Sequence, residues 1–451
     1  MIGKVYESLV NVSSEADERG DAGIFYTPRT EIDLMCRLAV VDHLTNHLGQ
    51  GHKNLLYEAV FALEPEEKVL ADKAVTQASL WLDLEARLRG ITIVDPACGS
   101  GSFLVGMLHI LDDLQERANR QLGQHETSFD RKKRIIGQNL YGVDVMDWAC
   151  HVAELRLWLA LIIDTQFTRE ELHVRPEPLL PHFTFKIRCG DSLVQELGGI
   201  NLGYLRGSHD IQPTLKARIT KLKNEKLKFY NNDPTCQFRS ANQAVQEELR
   251  LFRDILDARH HNIQASIKAL HRKIEGPQER QMRLDGTIEE QPHQMKLEAI
   301  EWQKQIETLT KELDQLSDAR TALKTAKDVP FVWDIAFVEI FEGEKEGFDI
   351  VVGNPPYVRQ ENIADPRLPH EDKARENKKA YKVKLARSVY QVFPRFFGYN
   401  PKTESATQKL DTKSDLYVYF YFHNLPLLNP KGSLCLITSN SWLDVGYGAD
   451  L

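Results

Sequence analysis

The residues best placed to do chemistry are Asn354-Pro355-Pro356-Tyr357, which follow the hydrophobic run Phe348-Asp349-Ile350-Val351-Val352-Gly353. Two consecutive prolines remove two N–H donors and fix φ, so the run ends in a rigid extended corner. Such a corner presents the side-chain carbonyl of Asn354 and the backbone carbonyl of Pro355 as two acceptors. A planar exocyclic amine offers two hydrogens that match them. Held this way, the amine nitrogen loses conjugation with its ring and becomes electron-rich enough to attack a methyl sulfonium. Tyr357 adds a flat face for stacking a substrate ring. The plainer alternative is a structural Asn-Pro turn.

Three acidic positions upstream accompany the corner. Asp95-Pro96-Ala97-Cys98-Gly99-Ser100-Gly101-Ser102-Phe103 joins a short β-branched run to an apolar helix through small residues that let a ligand approach the backbone. It is not a phosphate loop, because no Gly-Lys-Ser/Thr follows. The preceding acid suits a ligand with a cationic amino group. Asp144, in Gly142-Val143-Asp144-Val145, stands where a second strand's carboxylate accepts ribose hydroxyls. Asp191, in Cys189-Gly190-Asp191-Ser192-Leu193, is positioned to accept an adenine's exocyclic amine. For each acid the alternative is a turn or helix cap; Asp147 fits the cap role for the helix Trp148–Ile163 better than Asp144 does.

Strands must place these acids at their carboxyl ends. Ile91–Val94, Leu140–Val143, Thr184–Arg188, Phe348–Val352 and Ser433–Thr438 read as five such strands, with helical patterns between them. Alternation of this kind predicts an open, mainly parallel α/β sheet. Residues 1–90 read as helical. Residues 203–327 are charged and nearly free of β-rich runs. Leu249, Phe252, Leu256, Ile263, Ile267, Leu270 and Ile274, and then Ile306, Leu309, Leu313, Leu316 and Leu323, recur at helical spacing. Polar Gly276–Gln294 separates the two sets, which predicts an inserted antiparallel helical hairpin.

Composition sets bounds only. The 451 residues carry a net charge of −8 and 42% hydrophobic residues, enough for a large core. That charge neither supports nor excludes a nucleic-acid partner, which needs only a basic face. The six cysteines show no CxxC pairing, and no apolar run reaches membrane-spanning length. A cytoplasmic setting, with no membrane and no metal site, is the expectation.

Taken in order, these motifs resemble the gamma-ordered DNA adenine-N6 methyltransferases of restriction–modification and phage-defence systems. The matching elements are Gly23-Ile24-Phe25-Tyr26-Thr27-Pro28, Asp95–Phe103, Asp144, Asp191, Asn354–Tyr357 and Asp415-Leu416-Tyr417-Val418-Tyr419-Phe420. Gly432–Asn440 is similar to the strand after that last helix. Residues 181–193 look closest to the large type IIG-like members. The resemblance implies a Rossmann-like class I methyltransferase sheet and an S-adenosylmethionine cofactor. It implies double-stranded DNA as partner, with the adenine flipped out of the stack, alongside restriction or defence subunits. Carried over residue by residue, it puts Thr27 in a lid over the methionine end, Asp95, Pro96, Ala97, Gly99 and Gly101 along the methionine moiety, Asp144 at the ribose and Asp191 at the adenine. Phe103 and Leu416 become pocket walls, and Asn354, Pro355, Pro356 and Tyr357 the catalytic corner.

The expected organisation is a helical region with the Tyr-Thr-Pro lid (1–90), a first part of the methyltransferase domain (91–202), the helical insertion (203–327) and a second part (328–451). Met146 stands where the family often has a further Asp. The family also continues past Asn440-Ser441-Trp442 into a target-recognition domain, so the chain reads either as a piece of a longer polypeptide or as a natural truncation, and in both cases is expected to bind cofactor but to methylate DNA poorly or not at all by itself. Beyond Tyr357 a polar stretch carries Arg359, Lys373, Arg375, Lys378, Lys379, Lys382, Lys384 and Arg387. Such a stretch could follow phosphates; the plainer alternative is a solvated loop or a disordered lid. Glu66-Glu67-Lys68 lacks the partner a nuclease needs and reads as a helix surface. Two rivals stand beside this reading: a protein-glutamine or RNA-adenine methyltransferase, and a non-catalytic DNA- or partner-binding scaffold.

Overall fold

The computed structural model describes residues 27–163, 185–197, 200–201, 213–230, 233–275, 293–325, 331–341, 345–368, 374–400, 403 and 405–440. Its centre is a five-stranded sheet of β1 (Ile93–Asp95), β2 (Leu140–Asp144), β3 (Ile187–Cys189), β4 (Phe348–Gly353) and β5 (Leu428–Leu436). The strands lie in the order β3-β2-β1-β4-β5 and every pairing is parallel. This is the doubly wound, Rossmann-like arrangement, and the order reverses between β1 and β4. Ligand crevices open at such a reversal, beyond the carboxyl ends of the strands. Asp95 ends β1 there, and Asn354 follows β4.

Pleating gives each strand two apolar faces, as a sheet covered on both sides requires. Ile93, Leu140, Ile187, Ile350 and Val352 face a core built with α1 (Arg29–Leu48), α4 (Trp81–Gly90), α5 (Ser102–Gln121), α6 (Ser128–Gln138) and α7 (Asp147–Ile162). Between α1 and α4 run α2 (Lys53–Phe61) and α3 (Pro65–Gln77). Val94, Tyr141, Val143 and Val351 face the other way, onto Phe331, Trp333, Phe337 and Phe341. These rings meet largely edge to face; Phe331 and Trp333 are 5.0 Å apart at their centroids.

Among its described residues the insertion holds three helices rather than the two expected: α8 (Pro213–Tyr230), α9 (Ala241–Glu275) and α10 (His293–Thr325). Lys273 lies over Trp302, Arg259 meets Glu312, and Asp257 meets Arg320. Numbers fall along one helix as they rise along the other, so α9 and α10 form the antiparallel hairpin. Lysine-rich α8 shows a weak apolar pattern but packs Leu215, Ile219 and Leu222 into the same core.

Buried charge fixes this insertion to the sheet. Glu248 of α9 accepts both guanidinium arms of Arg188 from β3, at 3.1 and 2.9 Å, and also pairs with Lys226 of α8. Lys226 donates further to the carbonyls of Ile335 and Ala336. One turn of sequence before Asp191, Lys186 pairs with Glu339 at 3.2 Å and lies over the Tyr141 ring.

Three expectations change. The basic stretch is not a loop from residue 375 onward, because Arg375–Val392 forms α11; Tyr381, Leu385, Ser388 and Val389 make a narrow buried stripe among exposed and half-buried cations. Lys373 lies outside the described residues. Asp147 caps nothing: α7 begins at Asp147, after Met146, with no side-chain cap bond. The last strand starts at Leu428, because an irregularity opposite Phe348–Ile350 accommodates Pro430 and Gly432. Glu66-Glu67-Lys68 does lie on helix, in the first turn of α3, where Glu67 completes a capping box with Glu64.

Candidate active site

The turn after β1 is held open by its own hydrogen bonds. Asp95 Oδ1 accepts from Ala97 N at 3.1 Å, Cys98 N reaches Val143 O at 2.9 Å, and Gly99 N donates to Asp144 Oδ2 at 2.8 Å. Gly99 and Gly101 have φ of +50° and +75°, a region that favours glycine. At Gly101 a side chain would also strike Ala153 of α7, 2.9 Å away. Arg156 of α7 closes the turn's far side, donating to Ser100 O and to the hydroxyls of Ser100 and Ser102 at 2.8–3.0 Å. Phe103 is buried in the core beneath the turn.

Asp95 is almost wholly buried, and its Oδ2 has no hydrogen-bond partner. Burial pushes its carboxyl up to about 8, with the Asp144 carboxylate adding to the rise. Asp144 also accepts from Met146 N at 2.9 Å, and burial raises its pKa too. The two acids stand at the carboxyl ends of adjacent strands, and Asp95 Oδ2 has no donor to balance it. A cationic ligand group would relieve both.

Asp191 sits at the end of β3. Its Oδ1 accepts from Leu193 N (2.9 Å) and Val194 N (3.1 Å), and its Oδ2 from the Tyr381 hydroxyl of α11 (2.8 Å). One lone pair on Oδ2 is left for a ligand donor. Burial raises this carboxyl as well, against those hydrogen bonds. Ser192 donates to Pro96 O, joining this loop to the β1 turn, and Trp333 Nε1 donates to Ser192 O at 3.1 Å. Gly190 is obligatory for packing, since a Cβ there would overlap the Phe331 ring.

Asn354 follows β4 beside Asp95. Its side-chain N–H donates to Thr27 Oγ1 at 2.9 Å, just before α1, and its Oδ1 is buried without a partner. Gly353 must lack a side chain, because a Cβ would come within 2.6 Å of Asp95 Oδ1. Beyond Pro355 and Pro356 the chain is pinned by Val358 O accepting from Leu416 N and by Gln360 N donating to Asp415 Oδ1 at 2.9 Å. Tyr357 and Leu416 are half-buried. Leu416 starts α12 (Leu416–Asn424), which shares a second core with Val358, Tyr381 and Leu385.

The structure thus brings Thr27, Asp95, Gly99, Asp144, Asp191 and Asn354 to one end of the sheet. Two participants carried no sequence signal: Tyr381, a lone aromatic in a lysine-rich stretch, and Arg156, one arginine on an apolar helix.

Residues 138–451 match the model of the family described as Eco57I restriction-modification methylase, and residues 71–198 match that of the MmeI DNA-methyltransferase domain. The chain is 27% identical over 374 residues to the "Putative type II restriction enzyme and methyltransferase" of Methanocaldococcus jannaschii, covering 79% of this chain and 30% of that protein. It is 30% identical over 112 residues to DNA methyltransferase A of Bacillus subtilis, covering 25% of this chain and 13% of that protein. A third relative, the type II methyltransferase M.BstVI of Geobacillus stearothermophilus, is 33% identical over 104 residues, or 23% of this chain and 13% of its own. The aligned stretches span less than a third of these relatives' lengths. By a family model that covers more than half of its length and includes β2 to β5, this chain belongs to the Eco57I restriction-modification methylase family.

Proposed function

We propose that this chain is the catalytic portion of a restriction–modification or phage-defence enzyme that moves a methyl group from S-adenosylmethionine to the N6 amine of a flipped adenine in DNA. The observation that carries this reading is the buried, unpartnered Oδ1 of Asn354, aimed by the Thr27 contact and placed beside the equally unpartnered Oδ2 of Asp95. Buried polar atoms without partners are rare, and two at one sheet end point to ligand donors.

The donor set fits the cofactor. Asp95 would hold its ammonium, the Ala97–Gly101 turn its methionine chain, Asp144 the ribose hydroxyls and the remaining Oδ2 lone pair of Asp191 the adenine amine. The cofactor supplies an electrophilic methyl carbon on a sulfonium. Asn354 Oδ1 and the Pro355 carbonyl accept the two amine hydrogens of the target, keeping the nitrogen lone pair off the ring and aimed at that carbon. Tyr357 stacks on the target base, and its position after two prolines keeps the ring in place. The amine proton leaves to solvent after transfer, so no strong base is required. The exposed or half-exposed Arg375, Lys378 and Lys379 at the start of α11 supply a surface for phosphates, on the same helix whose Tyr381 touches Asp191.

The test is labelled S-adenosylmethionine with plasmid DNA, followed by nucleoside analysis. Label in N6-methyladenine supports the proposal. Label in protein or RNA instead supports the glutamine or RNA alternative, and no label anywhere a non-catalytic scaffold. Asn354→Ala should abolish transfer and spare cofactor affinity; lost cofactor binding would make the corner structural.

A further inference from the structure

We propose that His43, His47 and Asp349 form a binding site for a divalent transition-metal ion of the zinc class, at the opposite end of the sheet from the candidate active site. His43 and His47 stand one turn apart on α1, their ring centroids 4.5 Å from each other. That spacing puts two imidazoles on one helix face, as two-histidine chelates require. Asp349, near the start of β4, completes the set: one ligand atom from each residue lies within 4.8 Å of the others. Donors on a tetrahedral zinc, with bonds of about 2.1 Å, stand roughly 3.3 Å apart, so small side-chain rotations close the site.

The hydrogen bonding supports ligation over a purely structural cluster. His43 is 1% exposed and neither of its ring nitrogens has a partner. Its Nδ1 is 3.9 Å from Asp349 Oδ1, too far for a hydrogen bond. His47 Nδ1 lies 2.9 Å from His43 O; as a donor there it leaves Nε2 as the lone-pair nitrogen.

Asp349 is oriented as ligating carboxylates are, by outer partners. Its Oδ2 accepts from Thr92 N (2.8 Å), Thr92 Oγ1 and Lys345 Nζ, and its Oδ1 from Asn429 Nδ2 (2.8 Å), leaving one Oδ1 lone pair. Lys345 is the competing cation, and its part-exposed side chain can turn into water when an ion arrives. Half-buried His47 gives the entry side and the position for a water ligand. Nitrogen and carboxylate donors of this kind suit zinc, cobalt or nickel rather than magnesium or calcium. The expectation of no metal site missed it because the carboxylate lies far along the chain from the histidines.

Cobalt is the probe. Chelator-treated 451-residue chain titrated with Co²⁺ is expected to develop the visible absorption of a low-coordinate cobalt centre at one ion per chain, and Zn²⁺ to abolish it and raise Tm. His47→Ala, and the closer-shaped His47→Gln, should weaken Co²⁺ binding at least about tenfold and remove the Zn²⁺-dependent rise in Tm, with the metal-free Tm and cofactor binding unchanged. No cobalt absorption in the parent chain, or equal cobalt affinity in both variants, overturns the proposal.

Discussion

The side-chain N–H of Asn354 donates to Thr27 Oγ1 across 2.9 Å, although the two residues stand 327 positions apart. This bond decides which end of the Asn354 amide is left without a partner, because an asparagine held by its nitrogen leaves its oxygen free. Thr27→Val keeps the shape and removes the partner. Methyl transfer is expected to fall by about 10- to 100-fold, with Thr27→Ser close to the parent. Single-turnover rates beside cofactor Kd separate this from lost binding.

Gly353→Ala tests the closeness of β4 to Asp95. The added methyl would sit 2.6 Å from Asp95 Oδ1 in a fully buried place, so a strand or a carboxylate must shift. Destabilisation of about 1–3 kcal/mol is expected, with weakened cofactor binding. Urea unfolding and cofactor titration measure the two.

Asp95 gives a pH dependence with a definite sign. Its folded pKa is raised by burial to about 8, from an ordinary carboxylate value. Its contribution to stability is therefore greatest in acid and is lost as pH rises, by up to about 1.4 kcal/mol per unit, until near pH 8. Binding of a cationic amino group has the opposite slope, because it needs the ionised acid. Cofactor affinity should rise with pH, up to about tenfold per unit, and level off near 8. Asp95→Asn is expected to flatten both profiles, stabilising the cofactor-free chain while weakening binding; calorimetry across pH checks it.

Glu248→Ala would leave Arg188 and Lys226 buried without their shared carboxylate. A loss of about 3–5 kcal/mol is expected, greater than for removing an exposed pair such as Arg120–Glu116. Hydrogen exchange should show α8 and α9 loosening from β3 first.

What was legible in the sequence followed from local rules. Three strands of the sheet end at or beside a polar residue, so the runs ending at Asp95, Asp144 and Asn354 revealed both the strands and the chemistry. The same rules failed where long-range packing governs. α11 hides a four-residue buried stripe under a lysine-rich surface, and its Tyr381 meets Asp191 only in the folded chain. α8 is helical because Leu215, Ile219 and Leu222 find partners on α9 and α10, not because its pattern is strong. Phe103 was expected beside the ligand from its motif position, yet the first turn of α5 carries it into the core. The Thr27–Asn354 contact was not foreseen: resemblance placed Thr27 in a lid over the cofactor, and nothing local links the two residues.

The antiparallel course of α1 against β4 has a consequence for how the protein is made. Thr27, just before α1, lies beside Asn354, and α1 then reaches His43, beside Asp349; the strand runs the reverse way. β4 also fills the middle of the sheet, against β1, with Thr92 bonded to Asp349 257 positions away. On the ribosome α1 meets α2 and α5 early, but β1 emerges with the β4 strand beside it still untranslated, and the helices of the insertion must be synthesised first. Contacts of such sequence separation form late. Until then one edge of β1, with Ile93 and Val94 that are buried in the folded chain, lacks the strand that pairs with it.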